Sequence, residues 1–301
     1  MQIWKSRQID RLRKLKRQLI GPKPKSQTRV PDSRPNILML VYDSCRYDSA
    51  IRARTPVLDQ YCKIYKAHTP ATYTYPAHQS FFCGIFPYVP EPLPYYNRFI
   101  EQLVALEGAG DGIKKKHSFV IDRKEYNIIS GLANAGYYTV GSGGANWFAK
   151  NALRVGFQDF FFKVHAPAKE QIELVLNGIG NHAKGRSFFG FINFMETHEP
   201  YMHHDEPEYR MTARRKMKWP PYADDSEADY AKMLHDAQIQ GAEYLDACLP
   251  RLFEAVPKNT IVLLFADHGE AFGEDGYWGH GVYHEKVMEV PLSIFSLQGD
   301  L

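Results

Sequence analysis

The chain of 301 residues (34.6 kDa) is 44% hydrophobic and 24% charged, with a mean hydropathy of −0.41. That excludes wholesale disorder, collagen-like repeats and a bundle of membrane-spanning helices, since no apolar run approaches the ~20 residues a span requires. The net charge of +3 is uneven: residues 1–30 hold ten Lys or Arg against Asp10 alone and carry +9, leaving a body at −6 that speaks against nucleic-acid binding.

In residues 1–20, Ile3, Trp4, Ile9, Leu12, Leu15 and Leu19 form a rough apolar stripe on a basic helix, which Gly21-Pro22-Lys23-Pro24 ends. Such a stripe docks on the body of the protein, on a partner or on an anionic membrane surface. Behind its charges there is no apolar core of the roughly 7–15 residues a signal peptide needs. Cys45, Cys62, Cys83 and Cys248 are scattered without a Cys-x-x-Cys pair, as in a reducing compartment. The expectation is a cytoplasmic protein, peripheral at a membrane if residues 1–20 dock there.

The body opens at Pro35. Asn36–Tyr42 is a nearly continuous apolar run, as expected of a parallel strand buried on both faces. Similar runs recur at residues 138–141, Phe188–Phe194, 261–266 and 291–295. Helical patterns intervene at 124–135, which leads into a turn at Gly136, and at 226–249, with Ser226 as N-cap and Pro250 as stop. Gly141-Ser142-Gly143-Gly144 lacks the Lys of a phosphate-binding loop and reads as a turn. Alternating strands and helices predict an α/β fold, a doubly wound and mostly parallel sheet flanked by helices.

Polar clusters stand at the ends of three of these runs: Asp43, then Glu196-Thr197-His198, then Asp267-His268-Gly269-Glu270. In open α/β sheets the loops at the carboxyl ends of the strands line one crevice, so the three clusters can meet there. A carboxylate and an imidazole at adjacent positions can chelate a cation if the chain turns, and Gly269 permits a turn. Asp43, if buried, needs a cation or a partner. In Thr74-Tyr75-Pro76-Ala77-His78, Pro76 can open a helix, which places Thr74 at a helix N-terminus that favours an anion. A metal-activated hydroxyl there could attack phosphorus or sulfur, and a simple capping role is the alternative.

With these motifs in place, the chain resembles the alkaline phosphatase–sulfatase superfamily. Pro35-Asn36-Ile37-Leu38, Asp43 to Asp48 and Thr55-Pro56-Val57-Leu58-Asp59 look like its opening. Thr74-Tyr75-Pro76-Ala77-His78 with Gly84-Ile85-Phe86-Pro87 is similar to its nucleophile motif, and Ala135-Gly136-Tyr137-Tyr138-Thr139 to its second strand. His198-Glu199-Pro200-Tyr201 looks like its substrate-side element. Asp267-His268-Gly269-Glu270, Gly279-His280-Gly281, Glu285 and Val290-Pro291-Leu292 look like its closing metal motif.

The resemblance implies a domain organisation of a basic extension at 1–34 and a catalytic domain at 35–301, without the C-terminal subdomain of larger relatives. It also implies a metal-dependent hydrolase or transferase. Sulfatases carry Cys or Ser, converted to formylglycine, where this chain has Thr74, and an Arg where it has His78. A Thr nucleophile is similar instead to the phosphodiesterases and the phosphoglycerol or phosphoethanolamine transferases. The implied ligands of one divalent cation are Asp43, Thr74, Asp267 and His268, a mixed set suiting Zn²⁺ or Mn²⁺ better than Ca²⁺; a second metal is the lesser expectation. Thr74 is then the nucleophile, with His198 and His280 stabilising the oxyanion. Arg46, His78, His198, His280 and His284 are the expected contacts of an anionic phosphoester. Arg46 suits equally a salt bridge to Asp48 or Asp59. A sulfuric-ester or phosphonate hydrolase and a non-catalytic binding protein of the same fold remain alternatives. Substrate choice is expected in loops such as 90–119 and 202–225. The run Tyr201-Met202-His203-His204-Asp205 and the basic patch at 210–218 read as solvated loops.

Overall fold

A computed structural model describes residues 33–84, 104–106, 119–121, 126–201 and 228–298. In chain order the strands are β1 (Asn36–Tyr42), β2 (Tyr65–His68), β3 (Val104–Leu106), β4 (Phe119–Ile121), β5 (Tyr138–Gly143), β6 (Asp159–Phe162), β7 (Phe188–Phe194), β8 (Thr260–Phe265), β9 (Ala271–Phe272), β10 (Trp278–Gly279) and β11 (Glu289–Ser296). The α-helices are α1 (Tyr47–Ala50), α2 (Thr74–Cys83), α3 (Ile128–Asn134), α4 (Ala168–Gly178), α5 (Ala228–Ala255) and α6 (Glu285–Met288).

Seven strands form one sheet in the order β2-β11-β8-β1-β7-β5-β6. From β8 to β6 every pairing is parallel. The expected alternation of faces is visible in β1 and β7. Leu38, Leu40 and Tyr42 with Phe188, Ile192 and Phe194 pack into one core under α4 and α5. Met39 and Val41 with Phe189 and Phe191 pack into another under α2 and α3. Both faces are thus covered, which is why these strands read as unbroken apolar runs. The sheet is doubly wound and mostly parallel, as the sequence predicts.

Four expectations need correction. The run at 291–295 belongs to β11, which is antiparallel to both β8 and β2. Between β8 and β11 the chain forms no crossover helix, only the four-residue α6, so it returns in the opposite sense. Pro250 does not stop α5, which continues to Ala255. The continuation buries Leu252 and Phe253 completely, and two such side chains at about 1.5–3 kcal/mol each offset the ~3 kcal/mol cost of an interior proline. Gly141 and Gly143 lie in β5 rather than in a turn. A Cβ on Gly143 would come within 2.4 Å of the Phe148 ring and one on Gly141 within 2.8 Å of Phe160. These glycines are there for close packing. Finally, the sequence reading holds no strand at β2, β3, β4, β6, β9 or β10.

The turn expected at Gly136 is present, with φ +96°. The stripe at 1–20, the cap Ser226, the His203-His204-Asp205 run, the basic patch at 210–218 and most of the loops at 90–119 and 202–225 lie outside the described residues. Among the described residues, no helix is long and apolar enough to cross a membrane.

Candidate active site

The register of the central strands sets the site. Tyr42 pairs with Phe194 and Val41 with Phe265, so Asp43, Met195 to His198, and Ala266 to His268 leave the sheet at one level. Ser44, at φ 61°, turns the chain sharply after Asp43. After Asp267-His268 the chain passes so close to α6 that a Cβ on Gly269 would lie 2.1 Å from the Lys286 carbonyl. Glycine is needed there for that approach rather than for a positive φ. The result is the convergence expected from sequence: one ligand atom from each of Asp43, Asp267 and His268 lies within 4.8 Å of the others, all three side chains buried.

Accounting for the carboxylate oxygens shows what the cluster lacks. Asp43 Oδ2 accepts from Asn193 Nδ2 at 2.9 Å. Asp267 Oδ1 accepts from the backbone N–H groups of Ser44 and His268 at 3.1 and 3.0 Å. Asp43 Oδ1 and Asp267 Oδ2 are buried without a hydrogen-bond partner, and each lies 3.7 Å from His268 Nε2. His268 Nδ1–H donates to the Gly269 carbonyl at 2.9 Å, leaving the Nε2 lone pair facing the carboxylates. Burial, reinforced by Asp43, holds the Asp267 carboxyl well above its usual range. Burial and the neighbouring His280 push His268 well below. Two unpartnered buried oxygens beside an imidazole lone pair fit a divalent cation.

Thr74 Oγ1 sits 3.4 Å from His268 Nε2, at the edge of the same cluster. Thr74 is the first residue of α2, and Pro76 the third, where the missing N–H has no intrahelical partner to lose. A hydroxyl at a helix N-terminus therefore meets the two carboxylates.

His78, expected against the substrate, lies beneath the site instead. It is buried, edge-on to Phe81, Phe82, Phe148 and Phe191. Its Nδ1–H donates to the Thr74 carbonyl at 2.8 Å, and burial pulls its pKa down to about 4. A neutral imidazole in an aromatic cage supports the Thr74 backbone, which spacing alone could not distinguish from substrate contact.

His198 and His280 rim the cluster. His198 Nε2 is 4.0 Å from Asp43 Oδ1, its ring centroid is 5.3 Å from that of His280, and His280 is 4.5 Å from His268. His280 Nδ1 pairs with Glu270 at 2.9 Å. Burial opposes protonation of His280, but the Glu270 carboxylate outweighs it and raises the pKa. Glu196 turns away to cap α4, accepting from the Ala168 N–H at 2.6 Å, and burial pushes its pKa up to about 7.

Two further expected substrate contacts belong to the framework. The Arg46 guanidinium is buried, paired with Asp48 at 2.6 Å and Glu274 at 2.7 Å; its pairing is with Asp48, not Asp59, and its forks are occupied. His284 is the N-cap of α6, where Nδ1 accepts from the Lys286 N–H at 3.1 Å. Arg46→Met is accordingly expected to lower unfolding free energy by about 2 kcal/mol, toward the low end for a broken ion pair because both acids are about a third exposed. KM for a phosphoester should move less than threefold in urea-free kinetics; a tenfold rise would return Arg46 to the substrate.

Sequence reading missed Asn193, Glu270 and Gln238 as site residues. Gln238 Nε2 donates to the carbonyls of Ser44 and Thr197 at 2.8 and 3.0 Å. Its Oε1 accepts from Arg46 N and Ser49 Oγ at 3.1 and 2.7 Å. The nearby Gly241 lets α5 approach: a Cβ there would lie 2.3 Å from the Glu196 carbonyl. A glutamine inside a long helix carries no motif; Glu270 could have been found from its place beside Asp267-His268.

The family model for Sulfatase matches residues 35–296. The chain belongs to the sulfatase family. The zinc complex of the C-terminal periplasmic domain of EptC from Escherichia coli is similar at 13% identity and TM-score 0.55, over 91% of this chain and 75% of that one. The corresponding domain of phosphoethanolamine transferase EptC from Campylobacter jejuni is similar at 13% identity and TM-score 0.56, over 88% and 80%. Phosphonate monoester hydrolase of Agrobacterium radiobacter is similar at 16% identity and TM-score 0.54, over 88% and 68%. At such identities the likeness establishes the alkaline phosphatase-like fold. No curated protein sequence matches the chain.

Proposed function

We propose that the chain is a divalent-metal-dependent phosphoester hydrolase or phosphotransferase working through Thr74. What carries the reading is the meeting of a helix-terminal hydroxyl with two unpartnered buried carboxylate oxygens and an imidazole lone pair. Asp43, Asp267, His268 and Thr74 would hold one cation, and their mixed oxygen and nitrogen donors suit Zn²⁺ or Mn²⁺. When bound, the cation supplies Lewis-acid stabilisation of phosphoryl charge and eases ionisation of a hydroxyl.

Thr74 Oγ releases its proton to solvent and bonds to phosphorus while the ester P–O bond breaks and the alkoxide takes up a proton from His280 and departs as the alcohol. Water or an acceptor hydroxyl then takes the phosphoryl group, and Thr74 regains a proton. The N-terminal end of α2 turns the positive end of its dipole toward the phosphoryl oxygens. His280, whose pKa the Glu270 carboxylate raises, gives a proton to the departing oxygen, and His198 and His280 supply hydrogen bonds to the developing charge. A threonine cannot yield the aldehyde of a sulfatase nucleophile, which supports phosphoryl over sulfuryl transfer.

For location, the reading is a cytoplasmic protein that docks through residues 1–20, resting on the basic stripe and the scattered cysteines. The EptC domains in the comparison are periplasmic.

The test is a panel of aryl phosphate, sulfate and phosphonate esters, run on protein stripped of metal and reloaded with zinc or manganese. Phosphate esters should lead sulfates by about 100-fold or more in kcat/KM. A sulfate or phosphonate lead would transfer the protein to that chemistry, and neither metal uptake nor turnover would make it a binding protein.

A further inference from the structure

Asn193 breaks the pattern of its strand. β7 is buried along its whole length, and alternation puts residue 193 on the face where Phe189 and Phe191 meet α2 and α3. An amide there is costly unless its polar atoms are paired, and they are. Asn193 Oδ1 accepts from the Ala145 N–H at 3.1 Å, and Nδ2 donates to Asp43 Oδ2 at 2.9 Å. The backbone carbonyl of Asn193 accepts from the Gly144 N–H at 3.2 Å and from Gln171 Nε2 at 3.0 Å. Gly144 allows this approach, since a Cβ on it would lie 2.5 Å from Met195 Cγ. The Ala145 N–H can only donate, so the oxygen must face it and the amide nitrogen is left for Asp43.

The consequence falls on Asp43. Its N–H donates to the Phe194 carbonyl at 3.0 Å and its carbonyl accepts from the Thr197 hydroxyl at 2.8 Å, so its backbone is held on both sides. With Oδ2 tied to Asn193, the oxygen left over is Oδ1, which has no hydrogen-bond partner and lies 3.7 Å from His268 Nε2. Turning the carboxylate so that both oxygens face the cluster would break the Asn193 bond and leave a buried N–H unpaired. Asp267 also has one oxygen tied, but by the backbone N–H groups of Ser44 and His268. The restraint on Asp43 comes from a side chain, which substitution can remove.

We propose that Asn193 is a positioning residue that confines Asp43 to one donor oxygen and thereby tilts the site toward zinc over manganese. The proposal rests on the cation reading above. Zinc is satisfied by four ligands, the number that Asp43 Oδ1, Asp267 Oδ2, His268 Nε2 and Thr74 Oγ1 supply. Manganese is suited by sites of six oxygens, which a carboxylate free to offer both of its atoms would help to provide. Partners that orient a metal ligand are commonly worth about 10–100-fold in affinity.

The test measures zinc binding by competition with a chromophoric chelator and manganese binding by loss of the free-ion paramagnetic resonance signal. Asn193→Leu keeps the count of side-chain heavy atoms and removes both hydrogen bonds; Asn193→Ala is the second variant. In each, zinc should weaken about 10–100-fold while manganese stays nearly level, so the zinc preference narrows by about tenfold or more. Equal weakening of both ions would mark a merely structural residue, and unchanged zinc binding an idle one; either overturns the proposal. Failure of the unsubstituted protein to bind either ion overturns the cation reading, and the proposal with it. Should both variants fail to fold, heteronuclear NMR of the unsubstituted protein decides: a downfield Asn193 side-chain amide proton that persists on zinc loading supports the proposal, and its loss overturns it.

Discussion

Thr74→Ala is expected to lower kcat/KM for an aryl phosphate ester by about 1,000-fold or more while the protein still takes up its metal. The loss corresponds to at least about 4 kcal/mol of transition-state stabilisation. Its cause is specific, because Oγ1 is the atom that faces His268 Nε2 at 3.4 Å, while Asp43, Asp267 and His268 are untouched by the change. Thr74→Ser keeps the hydroxyl and should retain turnover within about 100-fold, separating loss of the nucleophile from loss of packing. Rapid quenching of the unsubstituted protein should trap a phosphoryl adduct on Thr74 by peptide mass, absent from the alanine variant. Full activity in Thr74→Ala would end the nucleophile assignment.

The second large effect concerns the two carboxylates without their cation. Asp267 has a raised pKa in the folded state, caused by burial and then by Asp43. Its contribution to stability is therefore greatest below its unfolded pKa, near 4, and is lost as pH rises toward the folded value. His78 and His268 have lowered values, so their contributions fall away in the other direction, as pH drops below about 6.5. A difference measurement cancels them. In metal-free protein, Asp267→Asn should melt higher than the unsubstituted chain, and the gap should widen as pH rises from about 4.

Zinc should reverse the order. At 100 times Kd, a ligand of the folded state adds about 2.7 kcal/mol, or roughly 5–10 °C in Tm for a domain of this size. Asp267→Asn should lose most of that gain. Equal melting with and without zinc, and no pH-dependent gap, would remove the cation site.

The frame of this site could be read from the chain because its strands are buried on both faces. Asn36–Tyr42 and Phe188–Phe194 match β1 and β7 at both ends, and the polar residues that interrupt such runs mark the strand ends. β2 escaped notice because Tyr-Lys-Ala-His is an exposed edge with no apolar pattern. The donors Asp43, Asp267 and His268 were legible as motif residues. The surroundings were not, because spacing does not say what a side chain meets across the fold. His78 is one helical turn from Thr74 and reads by spacing as a substrate contact, yet Phe148 and Phe191 from distant segments enclose it. Arg46 finds Glu274 across 228 positions. Long-range partners of this kind leave no local pattern.

Gln238 bears on how the molecule ages. Its side chain makes four hydrogen bonds, two given and two received, which is the whole capacity of a primary amide. Deamidation would change its shape by almost nothing and exchange both donors for an acceptor. The carbonyls of Ser44 and Thr197, one from each loop beside Asp43, would then face a carboxylate oxygen. A one-dalton chemical change in a side chain that takes no part in the reaction would loosen both loops together, so the working lifetime of the site is tied to the integrity of one buried amide.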